Sequence, residues 1–372
     1  MRILHISSAR SLGGGERHLA DLANALARRG HDVYAAVRPR SPLREELAEL
    51  PPGNVLSVSL RNALDVRSAR SLARFVRAHK IEVVHAHVAR DYPLAAMACW
   101  RSRRAKFVIT RHVLFHLSRL HTLTLARASR VIAVSRAVER SLLAQKIFPA
   151  RKVTVIPNGI DFGRFDSDSD ASDREEFRRR LKVAPRSLLV GTVGELKRQK
   201  GHEDFLRAAA AVAGADESVH FIIAGADTTR TGERRAALER LAAELRLKDR
   251  VTFTGWLDDT APLLRALDVY VSASHTESFG LAIVEAMAAG RAVVATATEG
   301  AREIIGHEET GLVVPVGDHE ALAASVLRLL KNEGERGRLG ERARTAARER
   351  FSLDRMVDAT ERVYKEMMNA ER

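Results

Sequence analysis

RILHISSARSLGGGERHLADLANALARRGHDVYAAV, residues 2–37, decides the fold class. Arg2 to Ser7 is a short apolar run of β type, Arg17 to Arg29 repeats its apolar residues at helical spacing among charged ones, and Asp32 to Val37 is a second β run. A strand, a helix and a strand in that order give a crossover between parallel strands. Working outward, the rhythm predicts a helix over Val66 to His79, strands over Glu82 to His85 and Phe107 to Thr110, and a helical stretch near Leu117 to Ala128. A strand over Arg130 to Val134, a helix from Ser135 and a strand over Val153 to Ile156 complete the first half. Such alternation implies a parallel sheet with helices on both faces.

Pro157, Asn158 and Gly159 stop the pattern and are expected to form the interdomain turn. A polar segment containing DSDSD (Asp166 to Asp170) follows and reads as a solvated linker. The rhythm then restarts. Strands are expected at Leu188 to Val193, His220 to Ala224, Val251 to Thr254, Val269 to Ser272, Ala292 to Ala295 and Gly311 to Val316. Helices are expected at His202 to Ala213, Glu233 to Leu245, Pro262 to Ala266, Leu281 to Ala289, His319 to Leu330 and in the tail. The expectation is two doubly wound α/β domains. Their ligand crevices lie at the carboxyl ends of the strands, so a cleft between facing domains is the natural active site.

The 372 residues are 45% hydrophobic and 29% charged, with no apolar stretch near the ~18 residues that span a bilayer. The first ten residues lack a secretory pattern and Cys99 is the only cysteine, which points to a reducing, cytoplasmic setting without disulfides or thiolate zinc clusters. Charge is divided unevenly. Met1 to Phe165 holds 29 Lys+Arg against 11 Asp+Glu, or +18, and the remainder 32 against 36, or −4, giving the total of +14. Arg101 to Lys152 alone carries thirteen basic residues and one acid, Glu139. Such a field suits nucleic acid, an anionic membrane surface or a phosphorylated substrate, and equally a merely solvated face.

Gly13, Gly14 and Gly15 sit between the first strand and first helix, where backbone can approach a ligand and helix N–H groups can receive an anion. Their spacing is not that of a nicotinamide-binding turn, and Val33 to Arg40 offers no ribose-binding acid. His85, His87 and His112 lie at predicted strand ends. His85 and His87 point the same way, but no acidic or thiol ligand is near and the surroundings are basic, so no metal ligands are assigned. His112, after Thr110 and Arg111, suits a substrate hydroxyl, a carbonyl or a structural role.

In the second half, GELKRQKG (Gly194 to Gly201) spans a strand-to-helix turn. Three cations at a helix start oppose the helix dipole, and a bound polyphosphate would neutralise them. In ESFGLAIVE, Glu277 lies in a loop, Gly280 turns the chain, and Glu285 falls on an otherwise apolar helix. A carboxylate there needs a partner, and paired sugar hydroxyls are suitable ones. Backbone N–H groups of Phe279 to Leu281 would face phosphate oxygens.

The motifs GTVGELKRQKG, VTFTGWLDD, ESFGLAIVEAMAAGRAVVAT and EIIGHEETGLVVPVGD resemble, in order, the nucleotide-sugar domain of retaining family 4 glycosyltransferases with the GT-B fold. The triple glycine, VVHAH, TRH, SRVIAVS and VTVIPNGID extend the resemblance over nearly the whole chain. It implies an acceptor-binding Rossmann-like domain over residues 1–163, a nucleotide-sugar domain over 164–353, and a final helix within 354–372 that crosses back onto the first. It further implies that Glu285 holds the ribose, Glu277 the sugar hydroxyls, and Phe279, Gly280 and Leu281 the sugar and phosphate through backbone. Lys200 would bind the diphosphate, and Gly14 or Gly15 would approach it from the other domain. The family commonly has Arg where this chain has Glu195, and Arg198 is the expected replacement among the donor-binding residues. Glu277, His112 and Lys200 are the expected catalytic residues, and His87 and Arg111 the expected acceptor contacts.

The implied reaction moves a sugar from a nucleoside diphosphate sugar to a hydroxyl acceptor, with cations and helix N-termini stabilising the leaving diphosphate and with no metal or other cofactor. The family route is front-face attack in which the donor's phosphate oxygen takes the acceptor proton. The basic first domain suits an anionic lipid-linked saccharide, as in lipopolysaccharide or exopolysaccharide assembly, or docking on an anionic membrane from the cytoplasmic side. Two other readings stand beside it: a sugar-nucleotide 2-epimerase of the same fold, and a nucleic-acid-binding protein, against which the basic segment offers few aromatics and no recognition module.

Overall fold

The structure, a computed structural model, describes residues 1–369 apart from 101, 103, 118–121, 167–169, 182, 185, 186 and 230. It divides into two compact units, Met1–Ile160 with Phe351–Arg372, and Asp161–Arg350. The expected bounds were 163/164 and 353/354.

The first unit is built on seven parallel strands: β1 (Arg2–Ser7), β2 (Asp32–Val37), β3 (Val55–Ser57), β4 (Val83–Ala86), β5 (Lys106–Arg111), β6 (Arg130–Ala133) and β7 (Val153–Val155). Their order is β3-β2-β1-β4-β5-β6-β7, so the direction of winding reverses between β1 and β4. Both strands are buried on both faces, and their runs are apolar almost throughout, as covered parallel strands require. The Gly14–Arg28 helix packs Leu19, Leu22 and Leu26 onto this sheet. Met356, Val357 and Tyr364 join the same core from the Leu353–Asn369 helix, which Arg29 anchors through Asp354 at 3.0 Å and Asp358 at 2.6 Å.

The second unit carries β8 (Leu189–Val193), β9 (His220–Ala224), β10 (Val251–Gly255), β11 (Val269–Ser272), β12 (Ala292–Thr296) and β13 (Leu312–Val314) in the order β10-β9-β8-β11-β12-β13. All pairings are parallel, and the reversal falls between β8 and β11. No helix among the described residues is long and apolar enough to cross a membrane.

Several expectations need correction. Strand β3 and the Tyr92–Trp100 helix had no counterpart in the sequence reading. The first is a three-residue, partly exposed edge, and the second, YPLAAMACW, is apolar all round and so shows no period. The polar segment read as a linker forms a helix over Asp170–Arg180, tied down by its buried Arg178, which donates to Ala266 O at 3.1 Å and pairs with Asp268 at 3.4 Å. Residues 167–169 of DSDSD lie outside the described residues, and Asp166 is not simply solvated: it pairs with Arg344 and Arg348 at 2.6 and 2.5 Å. Near Leu117 to Ala128, the described helix is Thr122–Leu125, and part of the expected stretch lies outside the described residues. Gly159 stands next to Ile160, the last residue of the first unit before the chain enters the second one, and packs against the returning segment. Ile160 N–H donates to Phe351 O and Leu353 N–H to Ile160 O, both at 2.9 Å, and a Cβ on Gly159 would stand 2.6 Å from Ser352 O.

The helix His202–Ala215 begins at Gly201, whose φ of +63° is left-handed and whose absent Cβ would fall 1.9 Å from Ala273 O. Gly201→Ala is therefore expected to cost about 2 kcal/mol or more in unfolding free energy, read by urea denaturation. A cost below about 0.5 kcal/mol would mean that the turn is not packed against the Ala273 backbone.

Candidate active site

In the second unit the carboxyl ends of β8 and β11 part at the reversal, and a cavity opens there between Thr192, Lys200, Tyr270, Ser272, Glu277 and Gly280. This is where an open parallel sheet binds ligands. The loop after β11 is fixed from two sides: His275 N–H donates to Gln199 O at 2.8 Å, and Gly300 N–H donates to Glu277 O at 3.1 Å. A Cβ on Gly300 would lie 2.3 Å from Phe279 O, so the two loops touch backbone to backbone.

Glu277 and Lys200, from the two sides of the cavity, pair at 2.8 Å. Gly280, at φ +110°, starts the Leu281–Ala288 helix, and its carbonyl accepts from Ile283 and Val284. The N–H groups of Leu281 and Ala282 precede those first bonds and face out of the helix end. Glu285 is buried one turn further on and accepts from Thr260 Oγ1 at 3.3 Å. Burial pushes the Tyr270 hydroxyl above the ordinary phenol range, and the charges of Glu277 and Glu285 add to this, which places both carboxylates about the same ring.

Among the expected donor residues, Lys200, Glu277 and Gly280 line the cavity, Phe279 is buried beneath the loop and Leu281 opens the helix. Arg198 does not line it. That residue is exposed in the 3-10 turn Arg198–Lys200, while Glu195 is paired with Lys197 and its carbonyl accepts from His202 Nε2 at 3.1 Å.

The first unit gathers polar groups at its own reversal. His5 on β1, His85 and His87 from β4, His18 on the first helix and His112 after β5 form one cluster, of which only His112 is partly exposed. His85 is fully engaged, with Nδ1 on Tyr364 OH at 2.6 Å and Nε2 on Thr110 Oγ1 at 2.7 Å. His5 Nδ1 meets His87 Nε2 at 3.0 Å. Asp91 accepts from Ser8 N–H at 2.6 Å, joining the loops after β1 and β4, and burial raises its carboxyl to about 6. Arg111 is buried and donates to Phe115 O, while Gly15 lies in the first turn of its helix, 3.5 Å from the His112 ring measured from where its Cβ would be. Gly14 begins that helix.

Sequence reasoning named three of these five histidines. His5 and His18 were missed because each occupies an apolar position of its element, and the signal that would have found them is that both replace a core aliphatic where β1 and the first helix converge. Tyr364 was missed because 279 residues separate it from His85.

Two family models match the chain: Glycosyltransferase Family 4 over residues 12–164 and Glycosyl transferases group 1 over residues 173–346. The lipopolysaccharide core biosynthesis glycosyltransferase LpsE of Rhizobium meliloti is 30% identical over 96% of this chain and 97% of its own. The chain is a family 4 glycosyltransferase. The N-acetyl-alpha-D-glucosaminyl L-malate synthase of Bacillus anthracis is 25% identical over 96% of this glycosyltransferase and 95% of its own length. In fold, HepE of Anabaena, solved with UDP-glucose, superposes with a TM-score of 0.86 at 24% identity over 98% of this chain and 100% of that one. The two parallel-sheet units of the glycosyltransferase are thus those of the GT-B fold.

Burial holds every histidine of the cluster below its ordinary range, His5 at about 3 and His18 at about 4, with neighbouring histidines adding to the drop at His5, His85, His87 and His112, and the Asn158 side chain opposing it at His18. These imidazoles are neutral in the folded enzyme at pH 7. Below about 6.5 the unfolded chain takes up protons that the folded chain refuses, so stability is full above that pH and falls as pH drops towards 4. Asp91, raised, works in the opposite sense with one proton. Each histidine is worth about 1.4 kcal/mol at one pH unit below 6.5. The melting temperature of the glycosyltransferase is accordingly expected to fall steeply between pH 7.5 and 5.5, before ordinary carboxylates titrate. A flat profile would mean that the cluster accepts protons in the folded state.

Proposed function

We propose that this glycosyltransferase transfers a sugar, with retention at the anomeric carbon, from a nucleoside diphosphate sugar of the UDP class to a hydroxyl group of an anionic, lipid-linked saccharide. The observation that carries the donor half is the Lys200–Glu277 pair at 2.8 Å, set beside an open helix N-terminus at the β8/β11 reversal. Lys200 and the N–H groups of Leu281 and Ala282 stabilise the charge that develops on the departing diphosphate, so no metal is needed at that group. Glu285 receives the ribose hydroxyls and Glu277 those of the sugar, each as an acceptor for neighbouring O–H groups.

In the reaction the bond from the anomeric carbon to the diphosphate oxygen breaks, the acceptor oxygen bonds to that carbon on the same face, and the acceptor proton passes to the departing phosphate oxygen. The protein then supplies orientation and charge, not a nucleophile. HepE supports the UDP class and LpsE the saccharide class of the acceptor. The charge of +18 on Met1 to Phe165 supports an anionic acceptor and work at an anionic membrane surface.

Glu285→Gln and Lys200→Ala are each expected to weaken donor binding about tenfold or more with the melting temperature of the free protein nearly unchanged, read by calorimetric titration. Glu277→Ala should lower turnover more than UDP affinity. In a thermal-shift panel of UDP, GDP, ADP and TDP, UDP is expected to raise the melting temperature most, by the same increment with and without EDTA. Donor turnover at the wild-type rate in both Glu285→Gln and Lys200→Ala would overturn this assignment of the site.

A further inference from the structure

In the second unit, His275 ties the two sides of the donor cavity to each other. It stands two residues before Glu277, in the loop between β11 and the Leu281–Ala288 helix. Its Nε2 meets Asp204 Oδ2 at 2.6 Å, and because a carboxylate only accepts, Nε2 carries the hydrogen. Asp204 lies in the first turn of the His202–Ala215 helix, four residues after Lys200. With the bond from its N–H to Gln199 O at 2.8 Å, His275 has two holds on the segment that bears Lys200.

Asp204 is buried more deeply than its helix requires. An acid in a first turn is favoured by the helix dipole, and a surface position would serve that purpose. Asp204 is instead 8% exposed, with one oxygen 3.4 Å from Arg207 and the other spent on a histidine from a different loop. A bond to an ionised acceptor is shorter and stronger than a neutral one. His275 is itself about half exposed, so its loss opens no cavity in the core.

The remaining bonds of this loop run towards β12: Thr296 Oγ1 donates to Ser272 O at 3.3 Å, and Gly300 N–H to Glu277 O at 3.1 Å. His275 pulls the other way, across the reversal to the turn after β8. The Lys200–Glu277 pair crosses there too, but those side chains exchange each other for diphosphate and sugar when a donor enters. The spacing of the two backbones then needs a tie that the donor does not displace.

We propose that His275 and Asp204 form a brace that sets Glu277 against Lys200, and with it the sugar of a nucleoside diphosphate sugar against the bond that breaks. His275 is a positioning residue acting through Glu277, and the inference rests on the donor site proposed above. UDP is held by Lys200 and Glu285, whose segments stay packed without the brace, the first through Gly201 on the Ala273 backbone and the second within its own helix. Loss of the brace therefore shows in turnover and not in nucleotide binding.

In the full chain, calorimetric titration with UDP is set beside release of UDP from UDP-glucose, UDP-galactose and UDP-N-acetylglucosamine. His275→Ala is expected to lower kcat about tenfold while UDP affinity stays within about twofold. Asp204→Ala should do the same, and the double variant should be no slower than either, since each removes one bond. Asp204→Asn keeps an acceptor for Nε2 and loses the charge at the helix start, and should retain most of the turnover; a role confined to the helix dipole would make it as slow as Asp204→Ala. His220→Ala removes a bond of 2.8 Å to Thr252 Oγ1 at the amino end of β9 and should change neither constant. In the free protein, hydrogen exchange over residues 274–278 should rise about tenfold in His275→Ala.

Turnover of His275→Ala within about twofold of the wild type, or a double variant that multiplies the two single losses, overturns the brace. Lys200→Ala that binds UDP at wild-type strength overturns the donor site itself. If the wild-type chain releases UDP from none of the three donors, the UDP reading fails, and unchanged exchange in His275→Ala then overturns the brace.

Discussion

In each unit one constraint organises everything else: a parallel sheet whose winding reverses, between β1 and β4 in the first and between β8 and β11 in the second. Where successive crossovers leave in opposite directions, the carboxyl ends of the two central strands are left uncovered by any connection. Buried polar groups can be tolerated there because ligand or loop atoms can complete their bonding. The five histidines occupy the first gap, and the Lys200–Glu277 pair with Glu285 occupies the second. Elsewhere both sheets are faced with aliphatic side chains, as strands covered on both sides must be.

The fold was legible because its signal is periodic and repeated. Runs such as Asp32 to Val37 and His220 to Ala224 are strands over the residues that their apolar content suggests, and the change from period 2 to period 3.6 marks each helix. Elements that escaped lack such a contrast. Tyr92–Trp100 is apolar on every face, and Asp170–Arg180 is polar on nearly every face, held by Arg178 reaching Asp268 ninety residues away. A bond of that kind has no trace in local sequence.

The candidate site divides in the same way. Glu277, Gly280 and Glu285 could be named because a carboxylate on an apolar helix and a glycine before it are anomalies of composition. The pairing of Glu277 with Lys200 joins residues 77 positions apart, and the occupation of Glu195 by Lys197 follows from a turn whose shape the residues alone do not disclose. His85 and His87 were weighed as an isolated pair with basic surroundings. Folding brings His5, His18 and His112 to them from three other elements and changes what the pair can do.

The bond from Tyr364 to His85 has a consequence for the order of assembly. The second unit is one uninterrupted span, Asp161–Arg350, whereas the first is closed by the helix Leu353–Asn369, made after that span. During synthesis the sheet β1 to β7 emerges early and waits, its histidine cluster and the apolar surface beneath Met356 and Tyr364 exposed, while the whole of the second unit is produced. The unit that begins first is therefore the one that finishes last, and between those moments it is the part of the nascent chain most in need of protection from other surfaces.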